Sequence, residues 1–210
     1  MTSPMPPAEP AYADRTYRSA PGIAGGALLL ALALWLGIDA VVQGAGNAPW
    51  LSLAVLLWLV PLIVAFSFRP VVLASADRML VRNPFRTITL PWASVADVRA
   101  GYSSEVFDRS GGKYQLWAIP VSLRQRKRAA RRQSRDAAVD GQSGVSVTAD
   151  VTDRARMAPT DQSIRDLRDL AEEGASREGA QGPVSIRWAY EIIAPAVAGA
   201  VLFVVLLVIG

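Results

Sequence analysis

The densest charge in this 210-residue chain is a run of seven basic residues within twelve positions: Arg124, Arg126, Lys127, Arg128, Arg131, Arg132 and Arg135. Good helix formers and little apolar content surround them, so a helix here would be polar nearly all round and could not enter lipid by hydrophobicity. Three roles suit such a run. It could retain the segment on one side of a membrane, touch anionic lipid at about 1 kcal/mol per basic residue near the surface, or bind nucleic acid. They rank in that order, and nucleic acid comes last because no aromatic stacking residues are interleaved.

Catalytic candidates are few. The chain has no Cys and no His, which removes disulfides, thiolate nucleophiles, the commonest general base and the commonest metal ligands. Asp166, Asp169, Glu172 and Glu173 read as the solvated face of a helix, and none of them forms an acid pair with recognisable catalytic spacing. Gly111-Gly112-Lys113 is no phosphate loop, since Tyr114 follows the Lys and no glycine precedes it at the needed distance. Asp39 is an ionisable group inside an apolar run, which is a functional hypothesis by default. Its place three residues from the end of that run lets it reach interfacial water, and no basic partner lies within the runs. The expectation is a non-enzyme with no catalytic residue, no cofactor and no metal.

The elements that carry these residues are dominated by three apolar runs. Residues 22–42 and 50–68 are uncharged but for Asp39, and 190–209 is interrupted only by Glu191 near its start. At ~1.5 Å per residue, runs of this length cover the ~30 Å of a bilayer's hydrocarbon. The first two form a hairpin through a short connector with turn residues Gly44, Gly46 and Pro49, and Trp188 and Tyr190 suit a headgroup layer at the start of the third. Pro61 should kink the second helix. Gly22 and Gly26 form a small-xxx-small pair suited to close helix approach. Residues 1–21, rich in Pro, Ala and Ser, read as a disordered cytoplasmic tail, and the late start of the first run argues for retention in the membrane over signal-peptide cleavage.

Charge sets the orientation. The connector 43–49 carries no Lys or Arg, while 69–188 carries nearly all of them. That segment and the N-terminus should therefore be cytoplasmic and the C-terminus outside, in a multi-pass protein of the plasma membrane.

Residues 69–188 change to short β-type runs separated by turn chemistry. Candidate strands are Pro70–Ser75, Met79–Arg82 and Arg86–Leu90, the last with Ile88 and Leu90 on one face and Thr87 and Thr89 on the other. Trp92, Val95 and Val98 recur every three residues, as one helical turn or the entry to a strand, and either places Trp92 in the core. Tyr102–Phe107 and Tyr114–Ile119 flank Ser110-Gly111-Gly112 as a hairpin. The basic segment 124–135 and a flexible loop over 136–160 follow, with at most one stray edge strand. Then comes a helix over 161–174, capped by Thr160 or Asp161, with Ile164, Leu167, Leu170 and Ala171 facing the sheet. Residues 184–188 lead into the third apolar run.

Several of these stretches carry a resemblance. Arg69-Pro70 after an apolar hairpin, Val81-Arg82-Asn83-Pro84-Phe85-Arg86, Leu90-Pro91-Trp92 and Leu116-Trp117-Ala118-Ile119-Pro120 resemble the bacterial pleckstrin-homology-like (PH-like) domains of the low-molecular-weight protein antigen 6 type. The resemblance implies a β-rich barrel or sandwich of about seven strands, capped by a C-terminal helix and commonly attached to membrane helices; with the three apolar runs read as transmembrane helices, the expected fold class is three such helices bearing this domain. It carries over no catalytic or ligand residue, and it makes Trp92 and Trp117 core or barrel-end residues. The expected function is presentation of this domain at the cytoplasmic face for a protein partner or self-association, through its exposed strand edges. The alternative is binding of anionic phospholipids by the basic run after the barrel, because residues 69–135 hold a large surplus of basic over acidic side chains.

Overall fold

The computed structural model describes residues 15–121 and 159–209. The seven basic residues from Arg124 to Arg135 and nearly all of the loop that follows lie outside the described residues.

The described chain opens with a short strand, β1 (Arg15–Tyr17), then two apolar helices, α1 (Ala20–Gln43) and α2 (Ala48–Ile63). Ser19 caps α1 by accepting a hydrogen bond from the Gly22 amide at 3.2 Å, with Pro21 in the first turn. Pro61 is accommodated inside α2, whose last turn widens into a π-helical turn, Val64–Phe68. Strands β2 (Val71–Ala74), β3 (Arg78–Arg82) and β4 (Arg86–Pro91) follow as tight antiparallel neighbours. A single 3-10 turn, Trp92–Ser94, leads into β5 (Val95–Ala100), so the three-residue spacing of Trp92, Val95 and Val98 is a helical turn and then a strand. Next are β6 (Ser104–Asp108) and β7 (Lys113–Gln115), then α3 (Pro159–Gly174), β8 (Ser185–Trp188) and the last apolar helix, α4 (Tyr190–Ile209).

Two antiparallel sheets result, one ordered β1-β2-β3-β4-β8 and one ordered β5-β6-β7. Their inner faces and α3 enclose one core in which Met79, Val81, Ile88, Leu90, Trp92 and Leu167 are fully buried. Trp92 is its largest side chain. Its Nε1 donates to the Ser75 carbonyl at 2.9 Å, and it packs so closely under Gly174 that a Cβ there would lie 2.5 Å from the ring. The β6–β7 hairpin forms as its Ser-Gly-Gly suggests, with Gly111 at φ 91°.

Several local expectations are corrected. Arg15–Tyr17 is not part of an unstructured tail: it pairs with β2, because the short link to α1 holds it beside that strand. Residues 185–188 are not merely a lead-in but a strand on β4. The strand expected over Tyr114–Ile119 stops at Gln115, and the Ile119 amide turns back to the Leu116 carbonyl at 3.1 Å. Thr160 does not cap α3. It lies within the first turn, and its hydroxyl donates to the Pro120 carbonyl at 2.8 Å.

Among the described residues three helical spans are long and apolar enough to cross a membrane: α1, α2 together with its π-helical turn (Ala48–Phe68), and α4. They pack through small residues. Gly26 of α1 is buried against Ser67, and Gly199 of α4 lies directly on the α2 backbone at Leu57 and Trp58. Asp39 is met within its own helix by the Gln43 side-chain amide, one turn on.

Candidate functional site

The register of the first sheet decides where its charges go. Val72, Val81 and Ile88 share one cross-strand row and face the core. The adjacent row, Val71, Arg82, Thr87 and Arg187, must then lie on the sheet's other face because successive side chains alternate. Arg82 and Arg187 are both exposed.

This row lies at a particular end of the sheet. β1 runs into α1, the π-helical turn runs into β2, and β8 runs into α4; the antiparallel order puts all three joints at the same end. Arg18 sits in the first joint and Arg69 in the second, so four arginines far apart in sequence meet in one cleft of about 560 Å³. Arg69 is fixed there. Its Nη1 donates to Glu191 Oε1 at 2.8 Å, its Nε to the Asn83 carbonyl at 3.2 Å, and its Nη2 reaches Thr87 Oγ1 at 3.4 Å. Among the described residues no carboxylate lies within ion-pair distance of Arg18, Arg82 or Arg187. Glu191 is the one acid lining the cleft, and Arg69 already engages it. The site is a concentrated positive field suited to an anion such as a phosphate ester, which arginine binds bidentately.

Beside it lies an apolar groove of about 390 Å³ between α2 and α4, floored by Trp58, Leu62, Ile193 and Val197. Trp188 lines both spaces. The same end of the domain is locked to α2 by rings. Phe66 of the π-helical turn packs edge-on against Phe85 at 5.3 Å and against Trp117 at 5.5 Å.

The two tryptophans singled out in the sequence therefore sit in different places. Trp92 is in the core, whereas Trp117 is 42% exposed and lies at the helix junction. Sequence reasoning missed Arg18, Arg69, Arg82 and Arg187 because none belongs to a charge run. The readable signal was that Arg18, Arg69 and Arg187 each stand within three residues of an apolar helix.

Other polar clusters are structural. Asp108 accepts from the Ser110 hydroxyl and the Gly112 amide, both at 2.7 Å, and from the Tyr114 phenol at 3.1 Å, which hold the hairpin. The Ser110 hydroxyl, aided by these other donors, keeps the Asp108 carboxyl below its usual range, while burial and Asp108 itself push the Tyr114 phenol up. Asp97 pairs with Arg99 and with Arg168 of α3, fastening that helix to β5. Among the described residues no group of acids could hold a metal ion.

No curated protein and no solved structure matches this chain. Residues 69–180, more than half of it, match the family described as Bacterial PH domain, from the joint at Arg69 through the core strands to the turn after α3. Two sheets closed by a helix over a shared core agree with that match, and the chain belongs to the bacterial PH domain family.

Proposed function

We propose that this protein is a non-enzymatic integral membrane protein that presents its PH domain at the cytoplasmic face of the plasma membrane to a protein partner or a second copy of itself. Its three apolar helices cross the bilayer, with the N-terminus inside and the C-terminus outside. The uncharged connector 43–49 against the arginine-rich domain supports this orientation.

The observation that carries the reading is the position of β8. Every residue of this strand is exposed, and it stands at the outer edge of the first sheet with no described strand beyond it. An edge strand offers unpaired N–H and C=O groups to an added strand. The three joints at one end of that sheet hold the domain at a set height over the bilayer, so the edge is presented in one orientation. Photo-crosslinkers at Ser185 and at Tyr102, an exposed turn residue in the second sheet, test this in native membranes. A discrete protein adduct or dimer is expected from Ser185 and none from Tyr102. Equal or absent adducts at both positions would sink the edge reading.

A second reading, recognition of anionic phospholipid, is favoured by the four-arginine cleft. The basic run from Arg124 to Arg135 is a further proposed contact of the same kind. The ratio of phosphatidylglycerol to phosphatidylcholine that co-purifies with the full chain from mixed vesicles, before and after the seven basic residues are replaced by Gln, measures the contribution of that run; an unchanged ratio removes the run from this reading.

A further inference from the structure

We infer that the junction between sheet and helices is a built site for one anionic glycerophospholipid, its phosphate among Arg18, Arg69, Arg82 and Arg187 and one acyl chain in the groove between α2 and α4. This rests on the membrane placement proposed above but needs no protein partner.

Charge comes first. Among the described residues four guanidinium groups share one cleft with a single carboxylate, and that carboxylate is held by Arg69. Arg82 and Arg187 flank Thr87 in one cross-strand row, two strand spacings or roughly 10 Å apart. Two exposed guanidinium groups at this distance repel only weakly in water and salt, so the pair costs little when empty and offers both side chains to an anion placed between them. Arg69, pinned at three points, supplies a guanidinium whose orientation is set before any ligand arrives.

Shape then selects the source of the phosphate. A free phosphate would take up only a small part of the polar cleft and leave the groove of Trp58, Leu62, Ile193 and Val197 unused. A phospholipid fills both, with its glycerol level at Trp188, the residue common to the two spaces. An indole with an apolar body and a polar N–H suits that depth. Two of the four arginines, and Trp188, stand outside residues 69–180, so the site is made by the domain together with its own tethers.

The test uses the purified full chain in detergent, stripped of lipid and titrated with dioctanoyl phosphatidylglycerol, dioctanoyl phosphatidylcholine and inorganic phosphate at one ionic strength. Phosphatidylglycerol should bind roughly tenfold or more tightly than phosphatidylcholine, and inorganic phosphate should compete only weakly. Arg82→Gln with Arg187→Gln, both exposed and outward-facing, should remove that preference while circular dichroism and Tm hold. Trp188→Ala should weaken the lipid and leave phosphate binding unchanged. Equal binding of the two lipids, or a preference that survives the double substitution, overturns the site. Phosphate binding as tight as phosphatidylglycerol overturns the lipid as its occupant. Alkaline extraction of the same chain from membranes reads insertion separately: a chain that stays in the membrane yet shows no lipid preference refutes this site and the anionic-phospholipid reading with it, and leaves the membrane placement standing.

Discussion

Arg69 and Glu191 form an ion pair at 2.8 Å across 122 positions of sequence, joining the residue after the π-helical turn to the second residue of α4. The two partners are unequal. The Arg69 side chain is 18% exposed and also serves the Asn83 carbonyl and Thr87, while Glu191 is 64% exposed. Removing Glu191 loses mainly a solvent-screened surface pair, which contributes little. Removing Arg69 orphans several acceptors at once, at a cost of about 2 kcal/mol. In thermal unfolding in detergent, Arg69→Ala should therefore lower Tm clearly more than Glu191→Gln. Equal shifts would show that Arg69 acts only through the ion pair.

Gly174 ends α3 directly over Trp92. A methyl group there would meet the indole Cδ1 at 2.5 Å, and the fully buried ring has nowhere to retreat. In an open helix Gly→Ala is stabilising by up to about 1 kcal/mol; here the clash should reverse the sign and cost about 1–3 kcal/mol. Gly25 in α1, where an added methyl would meet nothing within 4 Å, is the control whose replacement by Ala should be neutral or better. Chemical denaturation of the three proteins reads the difference. A Gly174→Ala protein as stable as the parent would mean that α3 can shift away from the tryptophan.

These contacts also mark what could be read from the sequence. The alternation in Arg86–Leu90, the Ser110-Gly111-Gly112 hairpin, the apolar face of α3 and the three apolar helices are local patterns, and local patterns are visible in one chain. The edge strands β1 and β8 are not: three and four residues long, next to apolar helices, they carry too little pattern of their own and exist because β2 and β4 offer them an edge. The arginine cleft was hidden for the same reason. Arg82 faces outward beside Arg187 only once Thr87 pairs with both, which is a fact about register across three strands. The basic run 124–135, conspicuous in sequence, lies outside the described residues, so attention moves to arginines that no run announces.

Asp108 gives the domain a pH response of known sign. Its carboxyl titrates below the usual aspartate range in the folded protein, through the Ser110 hydroxyl first and then the Gly112 amide and the Tyr114 phenol. A depressed carboxylate pKa contributes stability that is fully present above the unfolded value, and that is lost as pH falls through the folded value. Stability should therefore fall below about pH 4. Asp97 and Glu105 are displaced in the same direction, so the informative quantity is the difference between the parent and Asp108→Asn. That variant should already be weaker at pH 7, by about 1–2 kcal/mol, and the gap should close as the solution is acidified past the aspartate range. A gap that stays constant with pH would mean that the charge of Asp108 contributes nothing to the hairpin.

The proposed topology makes the sharpest prediction, because the chain contains no cysteine and single cysteines can be placed without background. Gly46 lies in the connector between α1 and α2, at the helix ends opposite the domain; Arg109 lies exposed in the β6–β7 hairpin. Arg109→Cys alters an exposed turn residue. At Gly46, φ is +60°, a strained setting for Cys, so Ala45→Cys, its exposed neighbour, is the better probe. With the domain inside, a membrane-impermeant maleimide should label Ala45→Cys in intact cells, and Arg109→Cys only after permeabilisation. The reverse pattern would place the domain outside, against a distribution in which the connector has no basic residue and 69–188 has nearly all of them. Labelling of both positions from one side would leave α1 and α2 unable to cross the bilayer as a hairpin, and the membrane placement of the arginine cleft would fall with it.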